Sequence, residues 1–297
     1  MKIKIREIAA GLMVAGLALP GQAAPVTVYF GTSGGETKGI YRAHFDPATG
    51  KLSKADLAAE IGTPGFLALH PAGDRLYAVA NFEGGPGVAG FRVAADGSLS
   101  LINTSPIGDG AGTHIAVHPS GRFLVTAQYG GGSVALFPLE PGGRLGPAQL
   151  SRHEGGSGVV PNRQDKPHPH WCGFSPDGRF VLVPDLGLDK IVVYRVDAQA
   201  PAIIRHGFIE ANPGGGPRHM RFSVDGKFIY LLNEISLEVT TFSWDAQNGT
   251  AAKLSSVAAL LEAVKAKEAS NSAAEILVHP NGRFIYSSNR GHDSVTA

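Results

Sequence analysis

Glu275-Ile-Leu-Val-His-Pro-Asn-Gly-Arg-Phe-Ile-Tyr286 is one copy of a unit that recurs five times along this chain. Each copy has a short apolar run, a tight turn that contains glycine, and a second apolar run. Two apolar runs joined by such a turn are typical of a β-hairpin. The other copies occupy residues 66–77, 114–125, 171–182 and 219–230, so the unit recurs about every fifty residues.

Further strands follow the hairpin in several copies. A third apolar run is present at Val88–Val93, Ser133–Leu139, Ile191–Val196 and Val239–Trp244, and a weaker fourth run follows, such as Ser98–Ile102. A four-stranded sheet repeated at this length predicts the blades of an all-β propeller. A parallel β-helix would have shorter coils, and an α/β fold would need helices between the strands.

The composition agrees with an all-β chain. Forty glycines and twenty prolines in 297 residues suit frequent turns. Only Leu254–Ala269 has a helical pattern, and we expect it to be a helical insertion. The 26 basic and 25 acidic residues give a net charge of +1, and no basic tract is present, so no nucleic-acid partner is expected.

The N-terminus has the features of a secretory signal peptide. Lys2, Lys4 and Arg6 precede an apolar segment, Ile8–Leu19, and small residues follow it. A buried N-terminal helix is the alternative. We expect residues 1–23 to be removed, residues 24–297 to form the propeller, and the mature protein to be periplasmic or secreted, with no membrane contact after cleavage.

Cys172 is the only cysteine, so the chain can form no internal disulfide. Its neighbours, Trp171, Gly173 and Phe174, give it an apolar, strand-like setting. We therefore expect a buried, inert thiol rather than a reactive one.

The repeat separates structural residues from candidate functional ones. At the turn end of each hairpin the same residue types recur, which indicates a role in the blade itself. The opposite end, where the first strand begins and the second ends, has a different and mostly polar residue in each copy. Loops at such an end usually carry a propeller's function. The recurring turn residues are His70, His118 and His279, with Ser175 and Ser223 in the equivalent positions.

The variable end collects residues that can act together on an anionic ester. Arginines bind carboxylates or phosphates and stabilise a developing oxyanion, and a histidine or glutamate can activate water. We expect a small-molecule anionic lactone to fit such a site. The candidate catalytic residues are His168, His170, Arg218, Glu234 and Arg290, and the candidate substrate-binding residues are His114, Tyr129 and His219.

Each candidate also has a structural interpretation. Arg218 and Glu234 could form an ion pair between strands, and Arg290 could cap loop carbonyls. The loop histidines His168 and His170 could be solvated. His114 and His219 could be core residues with satisfied hydrogen bonds.

Other site classes find little support. His168-Pro-His170 near Asp165 has metal-binding residue types, but no matching set of ligands is evident, so neither a metal nor another cofactor is expected. No helix start follows Gly130–Gly132 or Gly214–Gly216, as a phosphate loop would require.

Several long segments resemble the lactonase family of seven-bladed β-propellers, which is typified by the propeller form of 6-phosphogluconolactonase and is related to carboxymuconate-lactonising enzymes. The resemblance covers nearly all of the chain after residue 23. The matching segments are Val28–Thr32, Gly39–Tyr41, Ala127–Leu139, His168–His170, Pro184–Lys190, Gly216–His219, Leu232–Glu234 and Ser288–Ser294.

The resemblance implies a seven-bladed fold and metal-independent hydrolysis of sugar-acid lactones. It assigns the site to His168 or His170 with Arg218, Glu234 and Arg290, the same residues that the repeat brings to one end. This chain has Val79-Ala-Asn81 where the family pattern reads Val-Asn-Glu, which affects the expected substrate range. Export is a second departure, because 6-phosphogluconolactone is a cytoplasmic compound.

The two ends of the chain predict an incomplete ring. Val26–Phe30 matches the second strand of a blade without its own inner strand, and Asp293–Ala297 falls where earlier copies place a third strand. We therefore expect a seven-bladed propeller truncated to about six blades, with roughly 70–100 residues missing. Such a fragment should form an open ring and fold poorly.

Three functions remain open. The first is hydrolysis of a sugar-acid lactone such as 6-phosphogluconolactone or a related gluconolactone. The second is cycloisomerisation of an unsaturated dicarboxylate, with the same arginines binding both carboxylates. The third is non-catalytic binding of a partner or glycan outside the cytoplasm.

Overall fold

The computed structural model describes residues 24–34, 36–197, 200–267 and 270–297. The expected signal peptide, residues 1–23, lies outside this part of the chain. Six β-sheets follow one another along the sequence, which is the organisation of propeller blades. The all-β prediction is therefore confirmed. None of the described residues forms a helix long and apolar enough to cross a membrane.

The chain divides into two compact units. One comprises the described residues up to Leu124 together with Phe137–Gln149, and the other comprises Val125–Leu136 and Leu150–Ala297. The division runs through the third sheet, whose order is β12-β11-β10-β9. Its strands are β9 (His114–Val117), β10 (Phe123–Gln128), β11 (Ser133–Pro138) and β12 (Gln149–Arg152).

The first unit contains two further sheets. Ile40 of the first packs with Leu76, Ala78, Ala89 and Phe91 of the second in a buried apolar cluster. The first sheet contains β1 (Val26–Phe30), β2 (Gly39–Asp46), β3 (Lys51–Leu52) and β4 (Asp56–Glu60), with β1 at its edge and both β3 and β4 paired to β2. The second sheet contains β5 (Gly62–Leu69), β6 (Arg75–Phe82), β7 (Gly85–Val93) and β8 (Leu99–Pro106), in that order.

The fourth and fifth sheets belong to the second unit and are built alike. Strand order follows chain order in both, and their facing sides share a core that includes Trp171, Leu182, Met220, Leu231 and Phe242. The fourth sheet contains β13 (Gly173–Phe174), β14 (Phe180–Asp185), β15 (Lys190–Asp197) and β16 (Ala202–Glu210). The fifth contains β17 (Pro217–Phe222), β18 (Phe228–Asn233), β19 (Glu238–Asp245) and β20 (Thr250–Ala258).

The sixth sheet has three strands, β21 (Ser272–Val278), β22 (Ile285–Arg290) and β23 (Ser294–Thr296). Before it lies the one helix of the described residues, α1 (Glu262–Lys265). The last two residues of the helix predicted over Leu254–Ala269 lie outside the described residues. Of the rest only Glu262–Lys265 is helical, so the prediction is mostly wrong. The first residues of this segment belong to β20, where pairing with β19 satisfies the backbone and outweighs the weak helix preference of an alanine-rich sequence.

The recurring turn residues hold the hairpins as expected. The backbone N–H of Gly73 donates to the carbonyl of His70, and the N–H of Gly121 donates to that of His118. The ring nitrogen Nδ1 of His70 also accepts a hydrogen bond from Ala72 N–H at 3.1 Å. The structural role predicted for these histidines is thereby confirmed. The hydrogen bonds at Ser175, Ser223 and His279 follow the same backbone pattern.

Cys172 is fully buried. Burial raises the pKa of its thiol far above the ordinary value, so the thiolate needed for reaction is disfavoured. The expectation of a buried, inert thiol is met.

Candidate functional site

In the fifth sheet, a β-bulge near the start of the first strand, β17, positions Arg218. In the pairing of β17 with β18, Pro217 lies opposite Asn233 and His219 opposite Leu232, so Arg218 is the extra residue of a β-bulge. A bulge at a strand end redirects a side chain. The pairing of β21 with β22 shifts in the same way after Ala273. These bulges were not predicted from the sequence.

Glu234 follows β18 directly, and three arginines surround its buried carboxylate. Oε1 accepts a hydrogen bond from Arg163 Nη2 at 2.6 Å, and Oε2 accepts one from Arg218 Nε at 2.8 Å. Arg290 Nη2 lies 3.1 Å from Oε2. We call these four residues the arginine–glutamate cluster. Its three guanidinium groups exceed its one carboxylate, so it carries surplus positive charge.

The arginines also bind backbone carbonyls of the neighbouring bulge. Arg218 Nη1 donates to the carbonyl of Ala274, and Arg290 Nη2 donates to that of Ala273 at 3.0 Å. Burial lowers the pKa of Arg218 from its ordinary value, against the opposing charge of Glu234. Both structural roles considered in the sequence analysis are therefore observed. Arg218 pairs with Glu234, and Arg290 binds a backbone carbonyl.

His170 adjoins the cluster as a buried and neutral ring. Its Nε2 lies 3.8 Å from Glu234 Oε2, and its Nδ1 is buried without a hydrogen-bond partner. Burial, helped by the charge of Arg218, lowers the pKa of His170 to about 2. The ring is therefore uncharged at neutral pH. The alternative interpretation of a solvated loop histidine does not hold, because His170 is buried and its backbone N–H donates to the carbonyl of Pro184 in β14.

His168 is held by Tyr129 and by the end of β14. Its Nδ1 donates to the carbonyl of Tyr129 at 2.8 Å, and the two rings stack 4.3 Å apart. Its backbone N–H donates to Asp185 Oδ1 at 2.7 Å. His168 is as buried as His170, so it is not a solvated loop residue either.

Asp185, the last residue of β14, holds the segment around His168 through several hydrogen bonds. Its Oδ1 also accepts the N–H groups of Gly187 and Leu188, and its Oδ2 lies 2.6 Å from His153 Nδ1. The other nitrogen of His153 lies 2.8 Å from the hydroxyl of Tyr194. All of this network is buried, so it fixes the backbone that carries His168 and His170.

His219 faces a second acidic residue rather than Glu234. Its Nδ1 donates to Glu275 Oε2 at 3.1 Å, while Arg221 Nη2 pairs with Oε1 at 2.9 Å. Burial of Glu275 opposes its ionisation, but the His219 hydrogen bond and Arg221 lower its pKa to about 2. Burial lowers the pKa of His219. The neutral ring packs against His170 with the centroids 5.2 Å apart.

His114 belongs to the first unit. Its buried ring lies against Phe66, with the ring centroids 4.2 Å apart. This packing is the one expected of a core histidine. The other seven candidates, His168, His170, Arg218, Glu234, Arg290, Tyr129 and His219, all lie in the second unit.

Arg163 is the site residue that the sequence did not reveal. It lies on the long segment between β12 and β13, outside the repeated hairpin. Partial burial disfavours its charged form, yet hydrogen bonds to Glu234 and to the Tyr129 side chain outweigh this and raise its pKa. The one available signal was the extra length between the turns at Gly121 and Gly178.

The polar residues at the ends of the second strands have a structural role. Asn233 Nδ2 donates to Thr240 Oγ1 at 2.9 Å, and Asn289 Nδ2 donates to Thr296 Oγ1 at 3.1 Å. Gln128 Oε1 accepts from Ser133 Oγ at 3.1 Å. Each of these hydrogen bonds ties the second strand of a sheet to the third.

No three His, Cys, Asp or Glu residues of the described chain gather as a metal site.

Comparison with known proteins identifies the family of the chain. The sequence model of the family described as "Lactonase, 7-bladed beta-propeller" matches residues 27–297. The chain belongs to this lactonase family. The described residues form six sheets, and the family description names seven blades.

Named relatives of this lactonase are similar over most of their length. The 6-phosphogluconolactonase of Bacillus subtilis (strain 168) is 32% identical over 278 residues, which span 91% of this chain and 77% of that protein. The 6-phosphogluconolactonase of Formosa agariphila is 30% identical, over 86% of this chain and 73% of that protein.

A solved structure is similar in fold as well as sequence. The periplasmic gluconolactonase of Pseudomonas aeruginosa superposes with a TM-score of 0.83 at 31% identity, over 90% of this lactonase and 77% of that chain.

Proposed function

We propose that the protein hydrolyses a sugar-acid lactone, 6-phosphogluconolactone or a related gluconolactone, by attack of water on the ester carbonyl. The observation that carries the proposal is the arginine–glutamate cluster beside the neutral ring of His170. Relatives named 6-phosphogluconolactonase and gluconolactonase support the same reaction class.

The cluster supplies the electrostatic part of the reaction. Water attack turns the carbonyl oxygen of the lactone into an oxyanion. Guanidinium groups that Glu234 already holds in place can stabilise this charge without reorganising. Such preorganised electrostatic stabilisation is usually the largest single contribution to enzymatic rate enhancement. Glu234 serves mainly to hold the arginines, since its carboxylate accepts hydrogen bonds from Arg163 and Arg218 and forms an ion pair with Arg290.

The proton transfers fall to His170. The 3.8 Å separation of its Nε2 from Glu234 Oε2 exceeds a direct hydrogen bond and is one that a water can bridge. In the proposed reaction, Nε2 takes a proton from this water as its oxygen bonds to the carbonyl carbon. Burial and the neighbouring arginine charges disfavour the imidazolium in the free protein. In the proposed reaction the negative charge of the bound substrate and its oxyanion offsets these arginine charges, and the imidazolium faces the Glu234 carboxylate.

The second half of the reaction opens the ring. The tetrahedral intermediate collapses, the bond from the carbonyl carbon to the ring oxygen breaks, and the ring oxygen takes the proton from His170. The products are a hydroxyl group and a carboxylic acid, which ionises at neutral pH. One water is consumed and His170 returns to its neutral state.

Measurement of acid release from the lactone tests the proposal. In a pH-stat, the full chain should release acid from glucono-δ-lactone or its 6-phosphate faster than spontaneous hydrolysis. Arg218→Ala and Glu234→Ala should remove this activity. Arg179→Ala is the matched control, because Arg179 pairs with Asp177 at the turn end of the fourth sheet. Unchanged rates in both cluster variants would overturn the assignment.

We further propose that the protein is exported and cleaved near Ala23. The basic and apolar N-terminal segments support this, as does the periplasmic location named for the similar Pseudomonas aeruginosa protein. Intact mass measurement of protein from a periplasmic fraction should show the loss of residues 1–23. Recovery of the uncleaved chain from the cytoplasm would contradict it.

A further inference from the structure

Arg163 is held at the site by its neighbour in sequence. Gln164 is fully buried, and its Nε2 donates to the carbonyl of Leu186 at 2.8 Å and to Asp189 Oδ1 at 2.6 Å. Its Oε1 accepts the N–H of Val160 at 3.0 Å. The loop is thus anchored one residue from Arg163, whose side chain reaches across to Glu234. An anchored loop places a guanidinium more precisely than a free one could.

The three arginines differ in what they can still bind. The side chain of Arg218 is 13% exposed, and its Nε and Nη1 are already used by Glu234 and Ala274. The side chains of Arg163 and Arg290 are 41% and 50% exposed. Each of these two contacts Glu234 through Nη2. A guanidinium has five N–H donors, so both retain donors that can face a ligand.

We propose that Arg163 is a specificity-determining residue, which with Arg290 binds a phosphate or carboxylate group at C6 of the lactone. The inference rests on the proposed function, because it names the substrate class of the same site. Arg218 then serves the reacting carbonyl, and the two exposed arginines serve the remote charged group.

The chemistry favours a charged substituent over a hydroxymethyl group. Phosphate and carboxylate oxygens accept paired N–H donors from a guanidinium, in stronger hydrogen bonds than neutral acceptors make. An uncharged group at this position would displace water from two cations without returning equivalent hydrogen bonds, which weakens binding.

A series of lactones with the same ring tests the proposal. The substrates are glucono-δ-lactone, its 6-phosphate, and glucaro-δ-lactone, which carries a carboxylate at C6. The enzymes are the full wild-type chain, Arg163→Gln, Arg163→Lys, and the control Lys166→Gln, an exposed residue of the same loop. The readout is the ratio of kcat/KM for each charged lactone to that for glucono-δ-lactone.

We expect Arg163→Gln to lower this ratio by about 10- to 100-fold, the effect of losing hydrogen bonds to a charged group. Arg163→Lys should give an intermediate ratio and serves as the deciding variant if Arg163→Gln does not fold. Lys166→Gln should leave the ratio unchanged. The phosphate and carboxylate arms show which anion the site prefers.

An equal loss of kcat/KM on all three lactones would overturn the role of Arg163 and leave the hydrolase proposal intact. If the wild type hydrolyses none of them, the hydrolase proposal fails instead. Calorimetric binding of 6-phosphogluconate and gluconate then still decides the role of Arg163. Equal relative affinities in wild type and Arg163→Gln would refute it.

Discussion

Replacing Glu234 with glutamine removes the charge that holds three arginines together while keeping the shape of the side chain. The side chains of Glu234 and Arg218 are 9% and 13% exposed, so Arg218 would be left with a buried and uncompensated charge. Removing one partner of a buried ion pair costs about 3–5 kcal/mol. The half-exposed Arg163 and Arg290 can be solvated, so we expect the lower end, about 3 kcal/mol.

Urea unfolding of the Glu234→Gln variant measures this loss. With an m-value of about 3 kcal/mol per molar, the midpoint should fall by about 1 M. The matched control is Glu210→Gln, in which an exposed carboxylate 3.6 Å from Lys190 is neutralised. A surface pair of this kind contributes at most about 0.5–1 kcal/mol, so its midpoint should barely move.

A double variant separates the ion pair from simple loss of packing. Arg218→Met in the Glu234→Gln background removes the stranded charge, so the double variant should be more stable than the sum of the two single losses by about 1 kcal/mol or more. The account of the cluster fails if Glu234→Gln costs less than about 1 kcal/mol. It fails equally if the two substitutions are additive.

Three further predictions concern residues around the cluster. The pKa of His170 is lowered from 6.5 to about 2, so the unfolded chain binds a proton below pH 6.5 that the folded protein does not bind. As the pH decreases from 6.5 towards 2, the free energy of unfolding should therefore fall by up to about 1.4 kcal/mol per pH unit. His170→Gln should remove this part of the slope in urea unfolding at pH 7 and pH 5, and an unchanged slope would contradict it. Asp185→Asn would turn an amide N–H towards the backbone N–H groups and the His153 ring that now donate to the carboxylate, and should lower the free energy of unfolding by about 3 kcal/mol. Because Asp185 positions His168 and His170, the variant should also lower kcat more than it raises KM. Wild-type kinetics would exclude this positioning role. At Gly187 an added Cβ would lie 1.8 Å from the carbonyl oxygen of Lys166. Gly187→Ala should therefore lower the stability measured by thermal unfolding by more than about 1–3 kcal/mol. The control Gly130→Ala, whose added Cβ meets no atom within 4 Å, should leave the stability unchanged.

The repeat explains how much of the site could be predicted. Because the hairpin recurs with a constant turn, each residue can be placed at one of two ends from local pattern alone. Arg218, Glu234 and Arg290 were assigned to one end in this way, and they converge there. Strand alternation and turn chemistry are local properties, so a single sequence carries them.

Other features depend on contacts distant in sequence. Arg163 meets Glu234 across 71 residues from a loop that the repeat does not include, so no local pattern could place it. The bulge at Arg218 depends on the register of two strands. The asparagines at the strand ends, such as Asn233, resemble site residues in polarity, and only their bonds to the third strand show their structural role.

The helical prediction over Leu254–Ala269 failed for a related reason. Alanine-rich sequence has a local preference for helix, but the preference is small per residue. Thr250–Ala258 pairs with β19 except at a β-bulge at Leu254. Backbone pairing with an existing sheet therefore decided the conformation.

The most direct test of the central claim is a crystal structure of the full chain with 6-phosphogluconate bound. The account predicts that one anionic group of this product lies at hydrogen-bond distance, about 3 Å, from the guanidinium groups of Arg163 and Arg290. The new carboxylate should lie beside His170 Nε2. Product bound elsewhere, for instance in the groove between Glu154 and Pro213, with the arginine–glutamate cluster unchanged, would contradict the assignment of the active centre.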